Sequence, residues 1–234
     1  MPSRRRLRRP VTHVIFDMDG VLLDTERFYT AVTQQIVGRF GKTFDWSVKG
    51  KMIGRSAIEA ARYLVDTLAL PMAPEDYLRE REAGLEALMP TADAMPGARE
   101  LTMALHARGI PQALATSSSR RFYDLKTARH RDWFARVFSV RIVGDDPRLE
   151  RGKPAPDIFL LAAADLGASP SSCLVVEDAP AGVVAAHAAG MQVLAVPDSA
   201  MDRAPFARAE LVVDSLLAVD LAALSLAADS ETSD

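Results

Sequence analysis

The sequence predicts an α/β protein whose core is a doubly wound parallel sheet, with a helical segment inserted near its start. Short apolar runs, each typical of a buried strand, alternate with helical patterns along most of the 234 residues. The alternation is interrupted once, because residues 26–94 contain helical patterns and no convincing strand. Crossovers between parallel strands need only about a dozen residues, and this interval is far longer. We therefore expect a second, helical unit there.

The predicted strands are short, and most carry little charge. They cover residues 11–17, 110–116, 137–143, 173–176 and 191–196, with 210–213 as a short edge strand. Helical patterns lie between them at 97–108, 119–130, 156–166 and 180–189. Gly109 and Gly190 stand where two of these helices should stop, since glycine readily takes the left-handed conformation that ends a helix.

The interrupted interval divides into three predicted helices, at 25–40, 55–69 and 74–88. Gly41, Gly54 and Pro71 separate them, and apolar residues such as Leu64 and Leu68 recur at helical spacing. We expect a core domain formed by residues 1–25 and 95–234, and a helical cap domain formed by residues 26–94.

The composition limits the class of partner. Hydrophobic residues make up 49% of the chain and charged residues 25%, which is typical of a globular protein. The net charge of −3 conceals an asymmetry, because five arginines lie within the first ten residues. The remaining 23 basic residues face 31 acidic ones, so the body of the protein is acidic and binding to nucleic acid is not expected. We expect residues 1–10 to form a disordered basic leader.

Two further features bear on membrane insertion and on the redox compartment. Residues 179–196 contain no Asp, Glu, Lys or Arg, but Gly190 interrupts them, so they predict a helix followed by a strand rather than a membrane span. The single cysteine, Cys173, excludes an intramolecular disulfide and predicts a reducing cytoplasm. No subunit interface is evident, and we expect a monomer.

The most informative motif is Asp17-Met18-Asp19-Gly20-Val21, which directly follows an apolar run. Alternate residues of an extended segment point the same way, so the two carboxylates should repel each other unless a cation or a shared proton intervenes. Asp-x-Asp-Gly is also ordinary turn chemistry. Residues far downstream in the sequence favour a functional site over a simple turn.

Polar residues follow two further predicted strands, and a lysine lies in a proline-stiffened loop. They are Thr116, Ser117 and Ser118 after the second strand, Glu177 and Asp178 after the fourth, and Lys153. The carboxyl ends of parallel strands meet at one edge of a sheet, where ligands bind. Clustered carboxylates suit Mg²⁺, whereas hydroxyls, free amides and lysine suit phosphate. Together these groups predict phosphoryl transfer to an aspartate.

Each of these residues also has a purely structural interpretation. Asp178 could cap the helix that follows it, residues 117–119 could be N-caps, and Lys153 could be a solvated surface charge. The occurrence of all of them in one order and spacing favours the functional interpretation.

In the order and spacing of these motifs, the chain resembles the haloacid-dehalogenase superfamily of phosphohydrolases. The motif from Asp17 to Val21 is similar to its first motif, Thr116 to its second, Lys153 to its third and the pair Glu177-Asp178 to its fourth. The resemblance implies a Rossmann-like core with a cap inserted after the first motif. It also implies a small-molecule phosphate ester as substrate and Mg²⁺ as cofactor.

The resemblance implies a role for each motif. Asp17 is the nucleophile that forms an aspartyl-phosphate, and Asp19 is the general acid and base. The transferring phosphoryl group is held by a set of polar side chains, namely Thr116, Ser117, Ser118 and Lys153.

The resemblance also implies how Mg²⁺ is held. The ligands are the carboxylates of Asp17 and Asp178 and the backbone carbonyl of Asp19, while Glu177 acts through a water molecule.

A closer likeness, carried by segments such as 10–29, 109–118 and 152–160, implies pseudouridine 5′-phosphate as the substrate. The cap matches less closely, so other esters stay open: glycerol phosphate, deoxyglucose phosphate and FMN. A sugar phosphomutase of the β-phosphoglucomutase type also stays open. Within the cap, Arg55 is the residue that we expect to touch substrate, although it could equally be a solvated charge in the first turn of a helix. Arg27, near the start of the cap, is a weaker candidate.

Overall fold

The structure is a computed structural model that describes residues 6–52 and 57–227. In this part of the chain, six strands form one parallel sheet in the order β3-β2-β1-β4-β5-β6. The strands are β1 (His13–Phe16), β2 (Gln112–Ala115), β3 (Val140–Ile142), β4 (Cys173–Glu177), β5 (Gln192–Ala195) and β6 (Leu211–Val212). The predicted doubly wound parallel sheet is confirmed.

Helices connect the strands and cover both faces of the sheet. They are α1 (Glu26–Gly38), α2 (Trp46–Met52), α3 (Ala57–Leu68), α4 (Pro74–Leu88), α5 (Ala98–Ala107), α6 (Arg120–Lys126), α7 (Arg131–Val137), α8 (Asp157–Asp165) and α9 (Pro180–Ala188). The charge-free stretch folds as predicted into α9, a glycine at position 190 with φ of 78°, and β5. Among the described residues, no helix is long and apolar enough to cross a membrane.

The two faces of β1 belong to different apolar clusters, because successive side chains of a strand alternate between the faces of a sheet. Val14 and Phe16 pack in the cluster that also contains Leu105 of α5. Ile15 points the other way, into a cluster with Phe159 of α8. Since β1 pairs with both β2 and β4, its carboxyl end lies at the middle of the sheet edge.

The segment between β1 and α5 is helical, as predicted. Helix α1 packs on α4, α4 packs on α3, and α3 packs on α2. A buried hydrogen bond of 2.8 Å between the hydroxyls of Thr33 and Tyr77 joins α1 to α4. Helix α2 was not predicted; it buries only Val48 and carries two lysines, so its apolar pattern is weak.

The region after β2 differs from its prediction. The helix expected over 119–130 is α6, which ends at Lys126. A separate helix, α7, follows and extends to Val137, where the strand expected over 137–143 should begin. Trp133, Phe134 and Val137 recur at helical spacing and are all buried, so tertiary packing overrides the strand preference of the apolar run. The strand β3 begins at Val140, three residues after the predicted start at 137.

The predicted disordered leader is wrong for residues 6–10. Leu7 is buried, and its backbone N–H donates to the carbonyl of Ala223 at 3.0 Å. Arg9 donates from its backbone N–H to the side-chain oxygen of Gln192 at 3.1 Å. The buried Leu7 and these hydrogen bonds together dock the segment against the carboxyl-terminal part of the described chain.

Candidate active site

The acidic residues that follow the central strands line one cavity of about 510 Å³ at the carboxyl edge of the sheet. Its lining includes Asp17, Asp19, Ser117, Lys153, Glu177 and Asp178. The parallel register of β1 with β2 and β4 brings these residues together, although Asp17 and Lys153 are 136 positions apart in the sequence. All six were predicted as site residues.

Lys153 is the bridge between two of these acids. Its Nζ donates to Asp17 Oδ1 at 2.6 Å and to Glu177 Oε1 at 2.7 Å, and also to the carbonyl of Ala115 at 3.2 Å. The lysine side chain is only 8% exposed, so these interactions take place away from bulk water. Lys153 is therefore a buried ammonium with its three donors directed into the site, and not a solvated surface charge.

The pKa values of this buried group are shifted by burial and by neighbouring charge. Burial raises the pKa of Asp17 to about 7, even though the Lys153 ammonium opposes that rise. Burial alone would lower the pKa of Lys153, but Asp17 and Glu177 raise it above its ordinary value. The lysine thus stays charged and limits how far protonation of Asp17 can proceed.

Asp19 is held by a different set of donors. Its Oδ1 accepts from Thr25 Oγ1 at 2.5 Å and from Lys126 Nζ at 2.6 Å, and its Oδ2 accepts from Ser118 Oγ at 2.9 Å. Burial would raise the pKa of Asp19, but Lys126 and these hydrogen bonds lower it below its ordinary value. Asp19 is therefore an ionised carboxylate in this arrangement.

Lys126 is the functional residue that sequence reasoning missed. Its side chain is completely buried, and Nζ also donates to Ser118 Oγ at 2.7 Å and to Tyr29 Oη at 3.2 Å. A lysine is almost never fully buried unless it is paired. A helical lysine at this position resembles a surface charge in the sequence, and only its partner Asp19, 107 residues away, identifies it.

Glu177 and Asp178 approach the backbone closely at two glycines. A Cβ at Gly182 would lie 1.7 Å from Glu177 Oε1, and a Cβ at Gly20, where φ is +75°, would lie 2.2 Å from Asp178 Oδ2. Both oxygens of Glu177 are engaged, one by Lys153 and the other by the backbone N–H of Ala179 at 2.8 Å. Glu177 thus positions Lys153, whereas Asp178 stands against the turn that contains the backbone of Asp19.

The hydroxyl cluster divides into structural and cavity-lining members. Thr116 is fully buried, and its Oγ1 accepts from the backbone N–H of Ser118 at 3.1 Å. Ser119 caps α6 by accepting from the backbone N–H of Phe122. Ser117 is exposed and lines the cavity. Arg55, the predicted cap residue, lies outside the described residues.

Among the described residues, the four acids predicted for the site, Asp17, Asp19, Glu177 and Asp178, pair with two lysines, Lys126 and Lys153. This set therefore carries an excess of two negative charges when all are ionised, and two further acids, Glu26 and Glu59, also line the cavity. Burial, Glu177 and Asp17 raise the pKa of Asp178 well above its ordinary value, which indicates the same excess. A divalent cation would balance it.

Within the described chain, no group of three or more acidic, imidazole or thiol side chains could hold a metal ion by itself. Mg²⁺ usually takes one or two protein carboxylates and completes its shell with water and phosphate oxygens. Asp17 and Asp178 fit that requirement, since both line the cavity and Asp178 lies against Gly20, the residue after Asp19. Glu177 fits it less well because its oxygens already have partners.

Comparison with known proteins identifies the family. A family model described as haloacid dehalogenase-like hydrolase matches residues 11–190. The chain is 52% identical over 215 residues to (DL)-glycerol-3-phosphatase 1, mitochondrial, of Arabidopsis thaliana, covering 90% of this chain and 72% of that protein. It is 46% identical over 214 residues to a Drosophila melanogaster protein named “Probable pseudouridine-5'-phosphatase”, covering 90% of this chain and 92% of that protein.

A solved structure gives the same assignment. A HAD family hydrolase from Deinococcus radiodurans R1, with bound phosphate and sodium, superposes with a TM-score of 0.72 at 28% identity, covering 89% of this chain and 93% of that chain. The chain therefore belongs to the haloacid dehalogenase-like hydrolase family, and it is a phosphoric monoester hydrolase.

Proposed function

We propose that this protein is a Mg²⁺-dependent phosphatase that hydrolyses small phosphate esters through an aspartyl-phosphate on Asp17. One observation carries the proposal: the buried Lys153 ammonium binds both Asp17 and Glu177 at the carboxyl edge of the sheet. The ammonium opposes the protonation that burial favours at Asp17, and a nucleophilic carboxylate must be ionised. It also places a cation where it can bind the oxygens of a transferring phosphoryl group.

In the first step, a carboxylate oxygen of Asp17 attacks phosphorus in line, and the bond from phosphorus to the ester oxygen breaks. Ser117 and Lys153, which line the cavity, bind the phosphoryl oxygens, while Thr116 holds the backbone of Ser118 through its Oγ1. In the second step, water attacks phosphorus and releases phosphate, which restores the Asp17 carboxylate.

Asp19 exchanges protons in both steps. It protonates the leaving alkoxide in the first and accepts a proton from the attacking water in the second, since a group that acts as acid in one direction acts as base in the other. Its three hydrogen bonds from Thr25, Ser118 and Lys126 favour the ionised form, which is the form that the second step uses. The proton taken from water then supplies the first step of the next turnover.

The residues that would hold Mg²⁺ are Asp17, Asp178 and the backbone carbonyl of Asp19. When bound, Mg²⁺ supplies positive charge against the developing charge of the phosphoryl oxygens. Gly20→Ala tests this assignment, because the new Cβ would push Asp178 from its place. We expect the Mg²⁺ concentration for half-maximal rate to rise by about 10-fold or more; an unchanged Mg²⁺ requirement would contradict it.

We propose that residues 26–94 act as a cap domain over the core formed by 1–25 and 95–234. Helices α1 and α4 contribute side chains to a second cavity beside the catalytic one, and both cavities share Asp19, Glu26 and Ser117. A cap in this position would exclude water and select the leaving group. Arg55 stays a proposed substrate contact, to be tested by the substrate profile of Arg55→Ala.

For the substrate we propose pseudouridine 5′-phosphate, with glycerol 3-phosphate as the second candidate. The first rests on the 46% identity to the Drosophila protein, and the second on the 52% identity to the Arabidopsis glycerol-3-phosphatase. We further propose that the enzyme acts as a cytoplasmic monomer without nucleic-acid or membrane partners. The only cysteine, Cys173, is buried and free.

The experiment is a phosphate-release screen with and without Mg²⁺ over pseudouridine 5′-phosphate, uridine 5′-phosphate, glycerol 3-phosphate, deoxyglucose 6-phosphate and FMN. Asp17→Asn is the control and should release nothing. A parallel assay for isomerisation of glucose 1-phosphates tests the mutase alternative. Isomerisation without net phosphate release would favour the mutase, and no phosphate from any ester in the presence of Mg²⁺ would overturn the proposed function.

A further inference from the structure

The cavity beside the catalytic site has the position required of a leaving-group site. It encloses about 500 Å³ and shares Asp19 and Ser117 with the catalytic cavity. Apolar and aromatic side chains, among them Tyr29, Leu85 and Phe122, line it together with serines and charged residues. An ester whose phosphorus lies at Asp17 would extend its alcohol portion into this space.

The acids that line this second cavity already have cationic partners. Asp19 binds Lys126 at 2.6 Å, Glu26 binds Lys49 at 3.1 Å, and Glu82 binds Arg121 at 3.5 Å. None of the three is left as an uncompensated charge facing the cavity. Recognition of a cationic leaving group is therefore not favoured.

Arg81 of α4, unlike these acids, has no partner of opposite charge among the described residues. It lines the same cavity. Its Nε is buried and has no hydrogen-bond partner within the part of the chain that the structure describes. Buried polar groups in proteins are normally satisfied, so this guanidinium is short of an acceptor. The residue as a whole is only half-buried and lines the cavity, so a ligand there could reach its other nitrogens.

The guanidinium is also held in place before any ligand binds. Its Cζ lies 5.8 Å from the ring centroid of Tyr29 and 5.6 Å from that of Tyr77, which are cation–π distances. The planar fork of an arginine loses little freedom when it forms hydrogen bonds, and it lacks any acceptor of its own. Its partner must be an oxygen or nitrogen acceptor on the ligand.

We propose that Arg81 is a specificity-determining residue that donates hydrogen bonds to an oxygen acceptor on the leaving group. This inference rests on the proposed phosphatase function and deepens it. The favoured substrates are esters whose alcohol carries further hydroxyl, carbonyl or phosphate oxygens. Esters of plain alkyl alcohols lack the acceptor and gain nothing from Arg81.

The test compares wild type with Arg81→Met, which keeps the length of the side chain and removes the donors. Substrates are glycerol 3-phosphate, pseudouridine 5′-phosphate and fructose 1,6-bisphosphate, with ethyl phosphate as the ester that lacks an acceptor. These arms separate hydroxyl, heterocyclic carbonyl and anionic acceptors. Arg79→Met, at an exposed position of the same helix that pairs with Asp76, is the matched control.

We expect Arg81→Met to lower kcat/KM by about 10- to 100-fold for the best oxygenated substrate, mainly through a higher KM. We expect less than about a twofold change for ethyl phosphate, and partial rescue by Arg81→Lys. An equal loss on ethyl phosphate would overturn the proposal, and so would an unchanged kcat/KM on every oxygenated ester. A wild-type enzyme that hydrolyses none of the esters would instead overturn the proposed function.

Discussion

Replacing Asp17 by Asn should change how the stability of the metal-free protein depends on pH. The pKa of Asp17 is raised from 3.8 to about 7 by burial. Between these two values the folded protein carries the proton and the unfolded chain does not. Folding therefore takes up a proton, and the free energy of unfolding falls as pH rises from about 4 towards 7.

The size of the effect follows from the same two pKa values. From pH 5 to pH 8 the contribution of Asp17 should reduce the free energy of unfolding by roughly 2.5 kcal/mol. The amide of an asparagine does not titrate, so the variant should lack this component. The wild type should thus lose stability relative to Asp17→Asn by at least about that amount over the interval, because Asp17 also raises the pKa of Asp178 and its removal relaxes that shift.

The assay is urea unfolding followed by circular dichroism at several pH values in the presence of a chelator. Asp66→Asn, which removes an exposed carboxylate, is the control and should follow the wild type. Added Mg²⁺ should stabilise the wild type more at pH 8 than at pH 5, because a metal ligand must be deprotonated to bind. Parallel pH curves for wild type and Asp17→Asn would refute the reasoning.

Two further substitutions test the charges and the close packing of the site. Lys126→Met should lower the free energy of unfolding by about 3–5 kcal/mol at pH 7, because it leaves the Asp19 carboxylate buried without its cation. The loss should be smaller at pH 4, where that carboxyl can take up a proton. A loss below about 1 kcal/mol at pH 7 in urea unfolding would contradict the pairing. Gly182→Ala should displace Glu177 and so lower kcat by about 10-fold or more in the phosphate-release assay, whereas Gly152→Ala, whose Cβ would meet nothing within 4 Å, should retain wild-type kcat. Equal rates for the two glycine variants would show that the position of Glu177 does not matter.

The sequence predicted the sheet well because its strands are buried on both faces. Such strands appear as short, nearly continuous apolar runs, and the alternation with helices leaves few possible topologies. The acids after β1 and β4 could be assigned to one site for the same reason, since the order of a parallel sheet brings carboxyl ends together. The interaction of Lys153 with both Asp17 and Glu177 is consistent with that reasoning.

Other features depend on contacts that have no local signature. Lys126 resembles any helical lysine until its burial against Asp19 is known, and Arg81 resembles a surface charge of α4. Helix α7 was missed because the run that contains Val137 has a strand-like composition, while its burial beside Phe134 depends on the surrounding core. Docking of residues 6–10 involves the burial of Leu7 and hydrogen bonds such as that from Arg9 to Gln192, and a run of arginines does not indicate either in the sequence.

The central claim is that Asp17 is transiently phosphorylated during hydrolysis. Acid quenching of the enzyme during turnover with Mg²⁺, followed by mass spectrometry of its peptides, tests the claim directly. We predict a phosphoryl group on the peptide that contains Asp17, present in the wild type and absent from Asp17→Asn. Release of phosphate by the Asn variant at the wild-type rate would contradict the claim, and so would a phosphoryl group trapped on a different residue.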